Sequence, residues 1–268
     1  MKRIIVTGGL GYIGSHTVCE LSLAGYTPVV IDNLTNTSTD NLHGIEKFLN
    51  KQIFFHQLDC TDLQSMEQFF NDIEDVLGVI HFAAYKSVEE SVQNPKKYYE
   101  NNVGSMEVML KCCENNKIDN FIFSSSCTVY GQTKELPVTE CAPFLKAFSP
   151  YAHTKQLCEE LLAKTSLNSV SLRYFNPIGS HSEALIGDRS GDNPTNLVPI
   201  ITQVASKKRD KLMVFGNDYN TDDGSCVRDY IHVQDLAESH VKALDYLLSN
   251  GGKEIFNIGT GKGVSVLE

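Results

Sequence analysis

The feature that most constrains the fold is a glycine-rich stretch near the start of the chain, VTGGLGYIGSH at residues 6–16. It follows an apolar run typical of a short strand and precedes a segment with the composition of a helix. Because glycine destabilises the interiors of helices and strands, its repetition here indicates a backbone path that larger residues cannot follow. Glycines between a strand and a helix permit a tight turn and close packing of the helix on the strand.

The spacing of these glycines predicts a dinucleotide site. Gly8, Gly11 and Gly14 fall three residues apart, and the stretch also satisfies G-x-G-x-x-G. The helix that follows would offer free amides and the positive end of its dipole to a pyrophosphate. Asp32, about 20 residues further on at the end of the second predicted strand, could accept hydrogen bonds from a ribose diol and would repel a 2′-phosphate. The next residue is Asn33 and not an arginine, so we expect NAD and not NADP.

Short apolar runs alternate with longer amphipathic segments along most of the chain. The runs are rich in Val, Ile and Phe without clean alternation, as in strands that are buried on both faces. The predicted strands are Arg3–Thr7, Pro28–Asp32, Gln52–Gln57, Leu77–Ala83, Asn120–Ser125 and Ser169–Tyr174, and the predicted helices include Tyr12–Ala24, Pro95–Asn115 and Ser149–Lys164. This alternation predicts an α/β fold with a Rossmann-type, doubly wound parallel sheet.

The chain changes character after Asn176. Residues 181–196 are polar and rich in turn formers, so we expect a loop there. Beyond it we expect helices near Leu197–Ser206 and Val233–Leu248, and strands near Leu212–Phe215, Val227–Tyr230 and Glu254–Ile258. We therefore expect an NAD-binding domain over residues 1–175 and a smaller, mixed α/β substrate-binding part over residues 176–268. Segments near 227–258 are expected to return to the first domain.

A second glycine cluster, GTGKG at residues 259–263, superficially resembles a phosphate-binding loop. That motif needs Ser or Thr after the lysine, where this chain has Gly263. It also needs a glycine at the position of Phe256. The cluster therefore predicts only a turn that follows a strand.

Composition excludes several classes of protein. The 268 residues are 41% hydrophobic, enough for the core of one large domain or of one domain with an appendage. The net charge of −10 disfavours nucleic acid as a partner, and no apolar run approaches the roughly 18 residues of a membrane span. The 8 cysteines form no C-x-x-C pair, so we expect no metal site and free thiols in the cytoplasm.

Tyr151 and Lys155 are the candidate catalytic pair. They stand four residues apart in SPYAHTKQ, on a predicted helix, and therefore share one helix face. A neighbouring ammonium favours the phenolate, so we expect Lys155 to lower the pKa of Tyr151 from its usual value of about 10. Such a phenol could act as acid and base near neutral pH. In FSSSCTVYG, after the fifth predicted strand, Ser126 could hydrogen-bond the same substrate hydroxyl as Tyr151.

On these residues the chain resembles the extended short-chain dehydrogenase/reductase family and, within it, the group of UDP-glucose 4-epimerases, also called UDP-galactose 4-epimerases. The resemblance runs from Arg3 to the last residue. It is carried by VTGGLGYIGSH, VIDNL, VIHFAAYKSVEESV, YYENNV, FIFSSSCTVYG, SPYAHTK, LRYFNPIG, NLVPII, FGNDYNTDDGSCVRDYIHVQDLA and FNIGTG. It implies an isomerase of galactose metabolism that interconverts UDP-galactose and UDP-glucose by transient oxidation at sugar carbon 4, with tightly bound NAD. It also implies a homodimer.

The resemblance implies roles for individual residues. Tyr151, Ser126 and Lys155 would be catalytic, and Lys155 would also hold the nicotinamide ribose. The implied cofactor contacts are Gly8, Gly11, Tyr12, Ile13, Gly14, Asp32, Asn33, Asp59, Cys60, Phe82, Ala83, Lys86, Asn101, Ser124, Tyr151, Lys155 and Phe175. The implied contacts to a UDP-hexose substrate are Lys86, Ser126, Tyr151, Asn176, Asn196, Leu197, Phe215 and Arg228.

Three alternatives are open at this point. The chain could be another NAD-dependent sugar-nucleotide epimerase of the same family. It could be a sugar-nucleotide 4,6-dehydratase, although those enzymes have an acidic residue just before VYG, where this chain has Cys127 and Thr128. It could also be an NAD-binding regulator without catalysis, but such proteins often lack the tyrosine or lysine, and Tyr151 and Lys155 are both present.

The resemblance also implies a C-terminal difference. Family members usually continue for several tens of residues beyond the position of Glu268. Their tail supplies further nucleotide contacts, including an arginine to the diphosphate, and a residue at the sugar wall that admits or rejects an N-acetyl group. We therefore expect the substrate-binding part to be truncated and its pocket to be incomplete, and whether N-acetylated UDP-hexoses are accepted stays open.

Overall fold

A computed structural model describes residues 2–133, 135–188, 194 and 196–268. Its strands are β1 Arg3–Thr7, β2 Thr27–Ile31, β3 Phe54–His56, β4 Val76–His81, β5 Asn120–Ser126, β6 Asn168–Tyr174, β7 Asn176–Ile178, β8 Val227–His232, β9 Lys253–Ile258 and β10 Gly263–Ser265. Among these, seven parallel strands form one sheet in the order β3–β2–β1–β4–β5–β6–β9. The predicted doubly wound parallel sheet is confirmed.

Helices cover both faces of this sheet. They are α1 Tyr12–Leu23, α2 Asp40–Leu49, α3 Leu63–Asp72, α4 Val88–Gln93, α5 Pro95–Tyr98, α6 Gly104–Asn115, α7 Pro150–Lys164, α8 Leu197–Ala205 and α9 Val233–Asn250, with a π-helical turn at Tyr99–Val103 and a 3₁₀ turn at Cys127–Tyr130. Neighbouring strand residues serve opposite faces. Ile4 packs in the core with residues of α1 and α9, while Ile5 packs with residues of α3, α6 and α7. Strands buried on both faces explain the continuous apolar runs of the sequence.

A second, smaller sheet lies where β6 ends. Among the described residues it has three strands in the order β10–β8–β7, with β10 antiparallel and β7 parallel to β8. Asn176 of β7 is aligned with Tyr230 of β8. β9 then pairs in parallel with β6, so the chain returns to the large sheet after the small one. The domain boundary at residue 175 stays a prediction.

One local prediction was wrong. Residues 212–215 form no strand, and Met213, Val214 and Phe215 of that segment are exposed, so the apolar run has no sheet to join. The helical segment predicted over Pro95–Asn115 is confirmed with the same bounds, and it contains a π-helical turn at Tyr99–Val103. Of the predicted loop at residues 181–196, residues 189–193 and 195 lie outside the described residues.

Two searches of the described residues gave no candidates. None of their helices is both long enough and apolar enough to cross a bilayer. No cluster of three or more His, Cys, Asp or Glu side chains in these same ranges is placed to hold a metal ion.

Candidate active site

The glycine stretch forms the turn between β1 and α1. Gly8 has a φ of +64°, and a Cβ there would lie 2.8 Å from the amide nitrogen of Ala83. A Cβ on Gly14 would lie 2.4 Å from the carbonyl oxygen of Gly8, so this glycine lets the helix pack on the turn. A Cβ on Gly11 would meet only the Gly8 oxygen, at 3.1 Å, which leaves space in front of the turn.

The start of α1 fits a bound pyrophosphate. Gly11 is the N-cap, and no side chain within the described part of the protein caps the helix there. The first helical turn, which begins with Tyr12 and Ile13, contains no acidic residue. Uncapped amides at the positive end of the helix dipole favour an anion. The ammonium of Lys86 lies 5.9 Å from the Tyr12 ring centroid, which brings a positive charge to the same place.

Asp32 links the end of β2 to the glycine turn. One carboxylate oxygen accepts a hydrogen bond from the amide of Leu10 at 3.2 Å. The other accepts from the amide of Leu34 at 3.0 Å and from the hydroxyl of Thr37 at 2.8 Å. The carboxylate is therefore held rigidly beside the turn, where the ribose of a dinucleotide is expected.

Further predicted cofactor residues lie along the carboxyl edges of β2, β3 and β4. The side-chain amide of Asn33 donates to the carboxylate of Asp59 at 3.0 Å, and the neighbouring Cys60 is buried. Phe82 continues from β4, where its amide donates to the Thr7 carbonyl at 3.0 Å, and Ala83 faces Gly8. These contacts bring the two sides of the predicted dinucleotide cleft together at one sheet edge, and the cleft fits NAD.

Tyr151, Ser126 and Lys155 meet at the carboxyl end of β5. Ser149 caps α7 by accepting from the amide of Ala152 at 3.1 Å, and this places Tyr151 in the first turn. The Ser126 side chain lies beside the Tyr151 hydroxyl, close enough to lower its pKa. The ammonium of Lys155 lies 6.0 Å from the Tyr151 ring centroid.

The pKa values at this cluster differ from the sequence prediction. Burial raises the pKa of Tyr151 to about 12, and the Ser126 side chain opposes that rise. Burial also lowers the pKa of Lys155 to about 8. The net shift of the Tyr151 pKa is therefore upward and not downward as expected, because desolvation of the phenolate is its largest cause.

Asn102 is a buried residue that the sequence analysis missed. Its side-chain carbonyl accepts from the amides of Tyr85, at 2.8 Å, and Asn101, at 2.9 Å. Its amide group donates to the Tyr85 carbonyl at 3.0 Å and to Thr154 at 3.2 Å. Asn102 thereby joins the loop that leads to Lys86 to the helix that holds Tyr151. The π-helical turn inserts it, and the doubled asparagine in YYENNV was the available signal.

A buried ion pair supports the same region from below. The guanidinium of Arg173 contacts both carboxylate oxygens of Glu159, at 3.0 and 2.6 Å, and both side chains are almost fully buried. Ser125 also donates to Glu159, and Arg173 donates to the Tyr130 hydroxyl at 2.9 Å. The pair therefore ties α7 to the strand and the turn that flank Ser126.

Two predicted substrate residues, Asn176 and Arg228, and the predicted cofactor residue Phe175 lie around β8. Phe175 continues the large sheet, with its amide donating to the Ile258 carbonyl at 3.1 Å. The side chain of Asn176 donates to the main-chain oxygen of Asp229 at 3.0 Å. Arg228 is exposed on β8.

The predicted substrate residues Asn196, Leu197 and Phe215 lie in segments that are not buried. Asn196 is the N-cap of α8, but its side chain makes no capping hydrogen bond, and Leu197 begins that helix. No residue of α8 is buried. Phe215 is 81% exposed in a segment without regular structure. This implied contact to the UDP-hexose therefore lies on the surface.

Comparisons with known proteins agree with this geometry. A profile of the NAD dependent epimerase/dehydratase family matches residues 4–259. The UDP-glucose 4-epimerase of Dictyostelium discoideum is 46% identical over 272 residues, which cover 99% of this chain and 78% of that protein.

Two solved structures match the whole chain. UDP-glucose-4-epimerase from Stenotrophomonas maltophila, with bound NAD and formylated UDP-arabinopyranose, is 41% identical with a TM-score of 0.96, and the match covers 100% of this chain and 81% of that one. UDP-glucose 4-epimerase from Bifidobacterium longum, in complex with NAD+ and UDP, is 41% identical with a TM-score of 0.94 and has the same coverage.

Proposed function

The chain belongs to the NAD dependent epimerase/dehydratase family, and from this premise we propose that it is an NAD-dependent isomerase that interconverts UDP-glucose and UDP-galactose. Its relatives and structural neighbours are UDP-glucose 4-epimerases, in complexes that contain NAD with UDP or a UDP-sugar. Inversion at carbon 4 of glucose gives galactose, which defines the two substrates.

The observation that carries the proposal is that Tyr151, Ser126 and Lys155 are brought together, with the Lys155 ammonium 6.0 Å from the Tyr151 ring centroid and Ser126 beside the Tyr151 hydroxyl. These residues lie at the carboxyl edge of the parallel sheet, the edge that also holds the glycine turn. Doubly wound sheets bind their ligands at this edge. A proton acceptor and a dinucleotide site at one edge suit a reaction that removes a proton and a hydride from the same carbon.

In this mechanism the 4-hydroxyl of the sugar loses its proton to the phenolic oxygen of Tyr151, and Ser126 hydrogen-bonds the same hydroxyl. NAD, held at the glycine turn and beside Lys155, would supply a reversible acceptor for the carbon-4 hydride, so that no net oxidation would result. Tyr151 gives the proton back as the new hydroxyl forms. Lys155 holds the nicotinamide ribose and favours the phenolate of Tyr151.

The remaining assignments follow from position. We propose that Gly8, Gly11, Gly14, Asp32 and Lys86 bind the dinucleotide. The other proposed cofactor contacts are Tyr12, Ile13, Asn33, Asp59, Cys60, Phe82, Ala83, Asn101, Ser124 and Phe175, and the other proposed contacts to the UDP-hexose are Asn176, Asn196, Leu197, Phe215 and Arg228. A homodimer in the cytoplasm is part of the same proposal.

A dehydratase reaction needs a carboxylic acid near Tyr151 to move a proton during the elimination. The two positions before VYG hold Cys127 and Thr128, and burial raises the pKa of the Cys127 thiol to about 11, so this thiol stays protonated at neutral pH. The carboxylate of Glu159 lies on the same helix as Tyr151, but it is paired with the guanidinium of Arg173 and accepts a hydrogen bond from Ser125. This environment favours chemistry limited to carbon 4.

The test is to incubate the protein with UDP-galactose and no second substrate. The anomeric proton signals are followed by NMR, and NADH in solution is followed by absorbance. We expect UDP-glucose to appear without stoichiometric NADH. A 6-deoxy-4-keto product would identify a dehydratase instead, and no turnover of any UDP-hexose at full NAD occupancy would favour the regulator. A parallel reaction with UDP-N-acetylgalactosamine tests the size of the sugar pocket.

A further inference from the structure

The glycine cluster at residues 259–263 has an anionic partner within the chain itself. The carboxylate of Asp229 on β8 accepts from the amide of Thr260 at 2.9 Å, from the Thr260 hydroxyl at 2.8 Å and from the amide of Gly261 at 2.8 Å. Three donors to one carboxylate make a strong, oriented contact. The turn between β9 and β10 is therefore fastened to the central strand of the small sheet.

The first glycine of the turn is enclosed on two sides. A Cβ at Gly259 would lie 2.6 Å from a carboxylate oxygen of Asp229 and 2.9 Å from the Phe175 ring. No side chain fits between them without displacing one of the two. Gly259 therefore allows Asp229 and Phe175 to approach the same segment of backbone.

Asp229 also contacts Asn176, a proposed substrate residue. Its main-chain oxygen accepts from the side chain of Asn176 at 3.0 Å. Arg228 precedes Asp229 on the strand, and successive side chains of a strand point to opposite faces. Asp229 can therefore bind the turn while leaving the guanidinium of Arg228 free of its carboxylate.

We infer that Asp229 and Gly259 together form a positioning unit for the nucleotide-sugar, an inference that rests on the proposed function. The carboxylate of Asp229 holds the turn against β8, and Gly259 of that turn lies against the Phe175 ring. The main-chain oxygen of Asp229 holds the side-chain amide of Asn176. The carboxylate of Asp229 does not touch the substrate, because its oxygens are engaged by the turn. The unit acts on affinity for the UDP moiety and leaves the dinucleotide site around the glycine turn of β1 unchanged.

The test uses two variants that disturb the unit from opposite sides. Asp229→Asn places an amide NH₂ against a backbone N–H of the turn, and Gly259→Ala inserts a methyl group between the carboxylate and the ring. Asp235→Asn is the control, since it removes a charge from an exposed position at the start of α9. UDP binding is measured by calorimetry on NAD-loaded protein, together with NAD content and the kcat and KM for UDP-galactose.

We expect both variants to bind UDP about tenfold more weakly and to have a KM about tenfold higher, as for the loss of hydrogen bonds to a charged group. NAD content and kcat should stay within about threefold of wild type because the unit contacts only one of the proposed cofactor residues, Phe175, and none of the catalytic residues. Wild-type UDP affinity in the variants, or joint loss of UDP and NAD, would overturn the inference. If Asp229→Asn does not fold, Gly259→Ala gives the same decision. A wild-type protein that binds no UDP would overturn the proposed function itself.

Discussion

The ammonium of Lys155 donates a hydrogen bond to the main-chain oxygen of Ser124 at 2.5 Å. This contact joins α7 to β5 one helical turn from Tyr151, inside a region where burial lowers the pKa of Lys155 to about 8. A charged lysine in such a place costs folding free energy, because its hydration is lost. Its position is therefore explained by the function of the site and not by stability.

Replacement of Lys155 by Met should stabilise the protein while reducing its activity. The pKa of Lys155 is lower in the folded protein than in the unfolded chain, so wild-type stability rises with pH between about 8 and 10.5. Lys155→Met should raise the melting temperature at pH 7, with an advantage that shrinks across that pH window, and should reduce turnover about a hundredfold. Lys164→Met, at the exposed end of the same helix, is the control for thermal unfolding. Equal or lower stability of Lys155→Met at pH 7 would contradict the argument.

Tyr151→Phe removes the hydroxyl and keeps the ring. We expect turnover to fall by about a hundredfold or more, in line with general acid–base catalysis, while NAD content is retained. Turnover of UDP-galactose and the NAD released on denaturation are the measurements. The half-buried Tyr246, whose hydroxyl contacts Glu254 at 3.4 Å, provides Tyr246→Phe as the matched change. Near-normal turnover of Tyr151→Phe would show that another group takes the proton.

Gly11→Ala should separate cofactor binding from folding. The φ of Gly11 is −68°, which alanine adopts readily, and the added methyl group would meet only the Gly8 oxygen within 4 Å. The fold should therefore survive, but the methyl group would enter the space expected for the pyrophosphate. NAD content should fall at least tenfold at an unchanged melting temperature. Gly104→Ala, where a Cβ meets nothing within 4 Å, is the control, and full NAD content in Gly11→Ala would refute this location of the site.

Buried neutral histidines should make the protein sensitive to acid. Burial lowers the pKa of His16 and of His240 to about 4 and that of His81 to about 3. Since the unfolded chain binds protons first, these groups stabilise the fold above pH 6.5, and that stability is lost as the pH falls towards 4.

The His16 part of this effect can be isolated. The Nε2 atom of His16 is buried without a hydrogen-bond partner in the described residues, so His16→Leu should be tolerated at pH 7. On acidification, the free energy of unfolding of the variant should fall by up to about 3 kcal/mol less than that of wild type, at 1.36 kcal/mol per pKa unit. Urea unfolding between pH 4.5 and 7 measures this, with the exposed His43→Leu as control. Parallel pH curves for wild type and His16→Leu would exclude His16 as a source of acid lability.

The sequence predicted the large sheet well because burial on both faces leaves long apolar runs. β1 has the predicted bounds, and β5 and β6 extend the predicted strands by one residue each. Residues 212–215 show the limit of this signal, since an apolar run becomes a strand only where a neighbouring strand is available. Local periodicity likewise could not reveal the extra residue in the π-helical turn that aims Asn102 inward.

At the site, motifs identified the groups but not their environment. The four-residue spacing of Tyr151 and Lys155 predicted a shared helix face, and the ammonium of Lys155 does lie 6.0 Å from the Tyr151 ring centroid. The pKa of Tyr151 depends on desolvation by elements distant in sequence, which no local pattern contains. For the same reason the partner of the second glycine cluster, Asp229, could be identified only from the fold, which brings β8 against the turn that follows β9.

The pairing of β9 with β6 also bears on how the chain folds. The register from Ser169–Lys253 to Tyr174–Ile258 is formed only after the chain has made β7, β8, α8 and α9. Closing so long an excursion has a high entropic cost before any contact repays it, and such non-local pairing slows folding. Until β9 docks, the edge of β6 offers unpaired backbone groups to other strands. The interval between synthesis of Tyr174 and arrival of β9 is thus the period in which a nascent chain is most exposed to mispairing.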